Sequence, residues 1–349
     1  MTDYLPVPHE RSGMELDEFL CLTYPLLNKG FLRRQIHSGN ILVDGSPALP
    51  SLRVKDSNVL CIDFDESEGL PAAPVAPKAE VVVLYEDDGI LVVDKPAGLA
   101  VEPERWARGE ACLSGALLEL SLNRCGLERG SSPQDAVTGL DFRPRLVHRI
   151  DKDTSGIVLV AKDIETERLL RTAFEKGEVH KSYLALVEGE YPMPFEGEEE
   201  FSIIDLPIAA DRRRTGRMVV GEKGGKASQT RVSIEERFRG YTLMRCEPIT
   251  GRTHQIRVHM REVGFPLCVD NLYGRRDALL LSEIKSGYRH KRGQIEHPLI
   301  DRLTLHAAEI EFPAGDKRIH VKAELPRDYA RVLKQLAKVR APRPHGGRG

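Results

Sequence analysis

A proline-rich stretch divides the chain into two unequal parts. Pro71, Pro74 and Pro77 recur at every third position between Glu66 and Lys78. This spacing favours an extended, semi-rigid connector, because proline fixes its own backbone angle and has no N–H to donate. The chain has 349 residues, enough for two domains. We therefore predict a small domain at 1–65, a linker at 66–78, a large domain at 79–339 and a basic Gly/Pro tail at 340–349.

The composition excludes several classes of protein. Hydrophobic residues make up 41% and charged residues 30% of the chain, a globular balance that excludes a disordered or collagen-like protein. No apolar run approaches the roughly 20 residues of a membrane helix, and residues 1–10 lack the segments of a secretory signal. We expect a cytoplasmic protein. The six cysteines include no C-x-x-C pair, so we predict buried thiols and no metal or redox site.

A net charge of −2 hides an uneven distribution of charge along the chain. Six glutamates and no basic residue lie between 188 and 200. Two basic segments follow, one with Arg212, Arg213, Arg214, Arg217, Lys223, Lys226 and Arg231, and one from Arg252 to Arg292. Such blocks can be solvated faces. The alternative is a surface for phosphates, because local positive potential attracts a polyanion whatever the net charge.

The predicted elements indicate an α+β protein in both parts. In the small domain, helical spacing at Leu16, Phe19 and Leu20 and a helix to His37 precede short strands with an Asp-Gly turn at 44–45. In the large domain strands outnumber helices and do not alternate with them, which favours a mainly antiparallel sheet with flanking helices. Strands are predicted at 157–161, 183–187, 230–234, 241–247, 302–306 and 319–324, and helices at 164–176, 254–263 and 329–338.

One segment concentrates charge immediately before a buried strand. Between His148 and Gly156 the sequence reads H-R-I-D-K-D-T-S-G, followed by I-V-L-V-A. These polar side chains cannot all face a core, because unpaired buried charges are too costly. They must contact solvent, one another or a ligand, so a solvated loop and a binding site are both open from this segment alone.

Further motifs accompany this segment in a fixed order between Val81 and Pro326. They are E-D-D-G-I-L-V-V-D-K-P-A-G (Glu86 to Gly98), K-S-Y-L-A-L-V-E-G (Lys181 to Gly189), G-R-T-H-Q-I-R-V-H-M-R-E-V-G-F-P (Gly251 to Pro266), D-N-L-Y-G (Asp270 to Gly274) and L-H-A (Leu305 to Ala307). Together they resemble the RluA-type pseudouridine synthases. The resemblance implies the pseudouridine synthase fold and an isomerase that acts on RNA.

The resemblance also implies roles for individual residues. Asp151 matches the catalytic carboxylate, Tyr183 matches the tyrosine that packs on the target uracil, and Arg257 matches the arginine that pairs with the carboxylate. Arg149 matches an arginine that fills the gap left by the flipped base. The neighbouring motif residues His148, Thr154, Arg252, His254 and Gln255 are predicted RNA contacts.

The small domain resembles the S4 RNA-binding module. The match is G-N-I-L-V-D-G at Gly39 to Gly45, with L-D at Leu16 and Asp17. It implies RNA contacts by Lys29, Arg33 and Arg34, which lie on or near one face of the second helix. A generic α+β unit, or a module that binds protein or packs on the large domain, is the alternative.

The expected chemistry is compatible with these residue types. Forming pseudouridine breaks the bond from N1 to the ribose, turns the base and rejoins it through C5. A nucleophilic or ion-stabilising carboxylate is needed, and the sequence offers no site for a metal or cofactor. Thr253 is the predicted N-cap of the helix that carries Arg257, with Ile256, Met260 and Val263 on its buried face and Gly264 as its end.

Other functions fit the motifs less well. A kinase loop would read H-R-D-L and would need a phosphate loop, and a glycosidase needs two carboxylates facing each other across the sugar, whereas Asp153 follows Asp151 too closely. We expect a monomer that acts on RNA without a membrane. Large-subunit ribosomal RNA is favoured, because in the family that the motifs resemble an S4-like module ahead of the catalytic domain is typical of the synthases that act on it. A transfer RNA substrate and a non-catalytic RNA-binding or ribosome-assembly role remain alternatives.

Overall fold

A computed structural model describes residues 3–24, 27, 29–64, 81–103, 111–126, 142–192, 201–221, 224–289 and 295–342. The predicted linker and most of the predicted tail lie outside these residues, as do most of the acidic stretch, Lys223 and the end of the second basic segment. None of the described helices is long and apolar enough to cross a membrane.

The described residues form helices and strands in a mixed order. The helices are α1 (Leu16–Thr23), α2 (Lys29–His37), α3 (Leu113–Arg124), α4 (Ile164–Glu175), α5 (Gln255–Glu262), α6 (Leu281–Ile284) and α7 (Arg327–Val339), with a 3-10 turn at His9–Arg11. The strands are β1 (Asp3–Pro6), β2 (Ile41–Val43), β3 (Ser46–Pro47), β4 (Val59–Ile62), β5 (Val82–Glu86), β6 (Ile90–Lys95), β7 (Arg145–Leu146), β8 (Ser155–Ala161), β9 (His180–Glu188), β10 (Phe201–Asp205), β11 (Ile208–Ala210), β12 (Met218–Val220), β13 (Gln229–Phe238), β14 (Tyr241–Pro248), β15 (Leu305–Ala314) and β16 (Lys317–Lys322).

The chain divides into two compact units. The first comprises Met1–Val81, Ala100–Leu146 and Val160–Glu167, and the second comprises Val82–Leu99, Val147–Leu159 and Arg168–Gly349. The first unit thus includes segments that follow the proline-rich stretch. The domain bounds expected from the sequence stay a prediction, because the stretch itself is outside the described residues.

The N-terminal part of the first unit is a four-stranded antiparallel sheet with two helices. The strand order is β1-β4-β2-β3. Asp44 and Gly45 both have positive φ, 50° and 76°, and form the tight turn between β2 and β3, as the Asp-Gly pair predicts. The core is filled by apolar side chains of α1 and α2 that pack against Ile41 of β2 and Leu60 of β4; those of the helices include Leu16, Phe19, Leu20, Leu32 and Ile36.

Within the first unit, α1 also contacts the segments after residue 100. Leu22 packs against Leu118 and Leu122 of α3. Arg145 makes ion pairs with Glu18 of α1 and Glu167 of α4. The first unit therefore has a core larger than that of its N-terminal module.

The second unit contains most of a ten-stranded sheet. Eight strands follow the order β10-β13-β14-β9-β15-β8-β6-β5, β16 pairs with β15, and β7 pairs with the end of β8. The pairs from β10 through β13, β14 and β9 to β15 are antiparallel, and β15 and β8 are parallel. The predicted α+β class with a mainly antiparallel sheet is confirmed.

A glycine permits the parallel contact between β8 and β15. Gly156 has φ 110°, and a Cβ built on it would lie 2.2 Å from the carbonyl oxygen of Ala307. No other residue fits so close an approach without displacing a strand. This contact lies five residues after Asp151, so it fixes where the charged loop enters the sheet.

Two local predictions were wrong. The strand expected at 302–306 begins at Leu305, because Arg302 instead pairs its guanidinium with Asp328 of α7. The N-cap of α5 is His254 and not Thr253, and its backbone is left-handed with φ 55°. Helix α5 ends at Glu262, and Gly264 follows with φ 91°.

Candidate active site

The charged loop between β7 and β8 is fixed by a buried lysine. Lys95, at the end of β6, is fully buried. Its Nζ donates hydrogen bonds to the carbonyls of Pro96, Leu99 and Lys152 at 2.9, 2.7 and 2.9 Å. Burial lowers the pKa of Lys95 to about 7, against the opposing charges of Asp153 and Asp151. Lys95 thereby ties the backbone beside Asp151 to the end of β6.

Asp151 faces a guanidinium held by a second carboxylate. Nη1 of Arg257 lies 3.1 Å from Oδ2 of Asp151. The other face of Arg257 makes two parallel hydrogen bonds of 2.8 Å to the carboxylate of Asp270, the fork geometry that only arginine provides. The side chain of Asp270 is 0% exposed and that of Arg257 7% exposed, whereas Asp151 keeps 23% of its side-chain surface. Asp151 is thus the member of the trio that a ligand can reach.

The charge of Arg257 is fixed by these neighbours. Burial lowers the pKa of Arg257, but hydrogen bonds to Asp270 and the charges of Asp270 and Asp151 outweigh it and raise that pKa above its ordinary value. The guanidinium therefore stays cationic at any pH at which the protein is folded.

Tyr183 lies buried on β9, where it pairs across the sheet with Cys246 and Ala307. Burial, and next the charge of Asp151, raise the pKa of Tyr183. The phenol is accordingly neutral, and its ring is available as an apolar surface.

A cavity of about 130 Å³ joins these groups. It is lined by the three predicted catalytic residues Asp151, Tyr183 and Arg257, and by the predicted RNA contacts Arg149, Thr154, Arg252, His254 and Gln255. His148 is not among the lining residues, and Lys29, Arg33 and Arg34 belong to the other unit.

Internal hydrogen bonds hold the side chains of His148 and Gln255, two of the predicted RNA contacts. His148 accepts a hydrogen bond at Nε2 from the N–H of Leu159 and lies against Phe174, and burial lowers the pKa of His148 to about 3. The buried amide of Gln255 bonds to Gln229, Thr230, Thr250 and the backbone of Arg252. In this geometry both side chains support the loops that carry the cavity residues.

Lys29 and Arg33, two of the three predicted contacts on α2, pair with carboxylates of α1. Nζ of Lys29 lies 3.2 Å from Asp17 and 3.5 Å from Glu18, and Nε of Arg33 lies 2.7 Å from Asp17. Lys29 and Arg33 nevertheless keep 30% and 52% of their side-chain surface. Arg34 is exposed, with its guanidinium 5.9 Å from the centre of the Phe31 ring.

Four residues of the site lie outside the sequence-based assignment of roles. Asp270 and Tyr273 belong to D-N-L-Y-G, Lys95 to the D-K-P motif, and Lys181 to K-S-Y. The motifs marked these four residues as belonging to functional segments. Their individual roles could not be predicted, because those roles depend on contacts between segments distant in the sequence. Lys181 lines the cavity two residues before Tyr183, and its Nζ lies 5.6 Å from the centre of the Phe174 ring. The ammonium makes no hydrogen bond or ion pair with another described side chain. Burial lowers the pKa of Lys181.

No group of three or more His, Cys, Asp or Glu side chains suited to a metal ion occurs within the described ranges. The charged side chains that line the cavity are Asp151, Arg149, Lys181, Arg252 and Arg257, with the neutral phenol of Tyr183 and the imidazole of His254 beside them. This arrangement can bind an electron-poor carbon beside Asp151 and an apolar ring beside Tyr183.

The chain matches one family in comparisons with known proteins. Residues 89–262 match the model of the RNA pseudouridylate synthase family. Ribosomal large subunit pseudouridine synthase C of Haemophilus ducreyi is 31% identical over 342 residues, covering 95% of each chain. Synthase D of Neisseria meningitidis is 32% identical over 336 residues, covering 95% of this chain and 81% of the relative.

A solved structure shares the fold. The human RNA pseudouridylate synthase domain containing 4 is matched over 73% of this chain and 92% of its own, with a TM-score of 0.52 and 22% identity. This likeness concerns the fold alone.

Proposed function

Because this chain belongs to the RNA pseudouridylate synthase family, an isomerase family, we propose that it converts uridines of large-subunit ribosomal RNA to pseudouridine with Asp151 as the catalytic carboxylate. The observation that carries the assignment is the partly exposed carboxylate of Asp151, 3.1 Å from a buried Arg257, at the wall of the cavity that Tyr183 also lines. The names of the relatives support the ribosomal substrate. Ribosomal RNA would be met in the cytoplasm, which is the location that we propose.

The reaction needs one accessible carboxylate close to the ribose. The bond from N1 to C1′ breaks, the base turns, and C5 bonds to C1′; C5 loses a proton and N1 gains one. Asp151 either attacks an electron-poor ribose carbon or stabilises its positive charge. The fixed charge of Arg257 orients Asp151 in both cases.

The uridine must leave the RNA stack to reach Asp151. Extrusion of a base costs a few kcal/mol. Stacking on the neutral ring of Tyr183 would return roughly 1–3 kcal/mol. Arg149, exposed at the cavity, is placed to occupy the gap that the base leaves.

Two sets of positive charges in the second unit suit the RNA backbone. Arg212, Arg213 and Arg214 are exposed at the tip between β11 and β12. Lys181 lines the cavity without a charged partner among the described residues, and a phosphate would supply one. We propose that both contact the RNA.

The N-terminal module is proposed as a second RNA contact. Arg34 is exposed, and Lys29 and Arg33 keep donors that their carboxylate partners do not occupy. A role in protein binding or in packing alone is the alternative for this module.

The experiment is a pseudouridine map of ribosomal and transfer RNA in a strain that lacks this gene. We expect one or more ribosomal uridines to lose the modification, and expect the wild-type chain, but not Asp151→Asn, to restore it. Loss confined to transfer RNA would overturn the ribosomal substrate. Full restoration by Asp151→Asn would overturn the catalytic role, and an unchanged map with impaired ribosome assembly would favour the non-catalytic alternative.

A further inference from the structure

A strained histidine stands beside the catalytic carboxylate. His254 adopts φ 55°, and only one other described non-glycine residue, Asp44, has a positive φ. Left-handed backbone is uncommon for residues other than glycine, although Asn, Asp and His adopt it more often than other side chains do. Strain of this kind persists where surrounding contacts impose it, and it is frequent at functional sites.

The contact that holds the imidazole is the hydroxyl of Tyr273. Nδ1 of His254 lies 2.8 Å from this oxygen. The same oxygen accepts a hydrogen bond of 2.7 Å from the backbone N–H of Met218 on β12. The described residues offer the hydroxyl hydrogen no other acceptor, so Tyr273 uses its donor as well as its acceptor capacity only if it donates to Nδ1 of His254.

This direction of donation determines the tautomer of His254. A neutral imidazole carries one N–H and one lone pair, and the lone pair of Nδ1 is occupied by Tyr273. In that arrangement the proton is on Nε2, an assignment from the hydrogen-bond network. Nε2 lies 3.9 Å from Oδ2 of Asp151, about 1 Å longer than a hydrogen bond.

Tyr273 also supports the other partner of Asp151. The guanidinium of Arg257 lies 5.0 Å from the centre of the Tyr273 ring. The backbone N–H of Tyr273 donates at 3.0 Å to Asp270, the carboxylate that holds Arg257. The ring itself packs in a small apolar cluster with Ile208 and Val258, so its hydroxyl has a fixed position.

We propose that Tyr273 is a positioning residue that holds His254 in its Nε2–H tautomer, so that a neutral imidazole presents a hydrogen-bond donor to Asp151 while Arg257 presents the charge. The inference rests on the proposed function. A donor on Oδ2 leaves Oδ1 free for the ribose carbon, and no proton needs to move between His254 and Asp151. Closing the 1 Å gap on RNA binding would complete the contact.

The first test removes the hydroxyl alone. Tyr273→Phe should lower kcat about tenfold with little change in the KM for RNA, because no substrate contact is lost. Tyr85→Phe is a matched control, since the Tyr85 hydroxyl donates to Asp87 away from the cavity, and it should have wild-type kinetics. A wild-type kcat in Tyr273→Phe would overturn the proposal.

The second test separates donor placement from backbone strain. The side-chain amide of His254→Gln can place a donor near the position of Nε2, whereas His254→Asn places it near Nδ1. Asn tolerates left-handed backbone better than Gln. If the placement of the donor matters, His254→Gln should have a higher kcat than His254→Asn. If backbone strain matters instead, His254→Asn should have the higher kcat. The second order would overturn the proposal.

A third measurement does not depend on activity. In the full chain with ¹⁵N-labelled histidine, His254 should show a protonated Nε2 and an unprotonated Nδ1, and Tyr273→Phe should yield a mixture of tautomers. A protonated Nδ1 in the wild-type chain would overturn the inference even if the enzyme is active. Absence of pseudouridine formation by the wild-type chain, with the tautomer as expected, would instead overturn the proposed function.

Discussion

Both units of this protein set carboxylates against cations, and the two arrangements differ in what they leave exposed. In the first unit, Asp17 and Glu18 are buried on α1, and their partners Lys29 and Arg33 reach solvent. In the second unit the cation, Arg257, is buried, and the carboxylate of Asp151 reaches the cavity. The first cluster, of Asp17, Glu18, Lys29 and Arg33, exposes its positive charges to solvent, which suits a structural or phosphate-binding role. The second offers a carboxylate whose direction is fixed, which suits chemistry on an electron-poor carbon.

The largest expected effect is a loss of turnover, and it should follow from substituting the aspartate of the second cluster but not that of the first. Asp151→Asn should reduce turnover to background with RNA affinity within a few fold, because only the charge and nucleophile are lost. Asp17→Asn should instead lower the free energy of unfolding by about 1–3 kcal/mol and leave kcat of the folded protein unchanged. Rate assays and denaturant unfolding of both variants measure this. Equal losses of turnover would show that the distinction between the clusters is wrong.

The next effect concerns the buried carboxylate of the second cluster. In Asp270→Asn an amide N–H₂ would face the guanidinium donors, so Arg257 would lose its fork and its orientation toward Asp151. We expect kcat to fall about a hundredfold and the melting temperature to fall as well. Asp316→Asn, at an exposed turn between β15 and β16, is the control. Wild-type turnover in Asp270→Asn would mean that Asp151 alone orients Arg257.

The third prediction concerns Lys95, whose ammonium is bound by backbone carbonyls, whereas the cations of the two clusters are bound by carboxylates. Burial lowers the pKa of Lys95 to about 7 from an ordinary value of 10.5. Between these values the unfolded chain holds a proton that the folded chain has released, so the free energy of unfolding rises with pH in this window. Relative to Lys95→Met, the wild-type chain should gain about 2 kcal/mol between pH 7 and pH 9 and show no further change below pH 6.

Denaturant unfolding of both proteins at each pH measures this difference. Taking the wild-type chain relative to Lys95→Met cancels the groups that titrate alike in the two. A constant difference from pH 6 to pH 9 would show that the three carbonyl acceptors keep the ammonium charged.

The smallest expected effect compares one cation from each unit. Lys181→Gln should raise the KM for RNA a few fold and make the salt dependence of binding shallower by about one phosphate contact. Arg34→Gln should do the same if the N-terminal module touches RNA. Binding measured at several salt concentrations tests both. An unchanged slope for Arg34→Gln alone would confine the RNA interface to the second unit.

The sequence predicted the features that depend on residues close together in the chain. The Asp44-Gly45 turn, the amphipathic spacing of α1 and the buried run of β8 were all predicted, because each depends on neighbours in the chain. The motif residues Asp151, Tyr183 and Arg257 were placed by resemblance, and the structure brings them to one cavity.

The sequence was uninformative where the partner is distant. Asp270 and Arg257 are separated by 13 residues, and Lys95 and Lys152 by 57, and no periodicity marks such pairs. Thr253 was predicted as the cap because threonine is a favourable N-cap residue, and the sequence carries no signal for the left-handed backbone that makes His254 the N-cap. Gln255 resembled an RNA contact in the motif, but four internal partners occupy its amide.

Gly156 limits how this protein can be altered. It contributes no side chain to the cavity, yet any larger residue there would press on the carbonyl of Ala307 and displace β8 from β15. A library of random variants selected for activity should therefore retain glycine at 156 as strictly as aspartate at 151, although the two fail for different reasons. An engineer seeking a new substrate preference can vary the exposed arginines near the cavity, but must treat the crossing of these two strands as fixed.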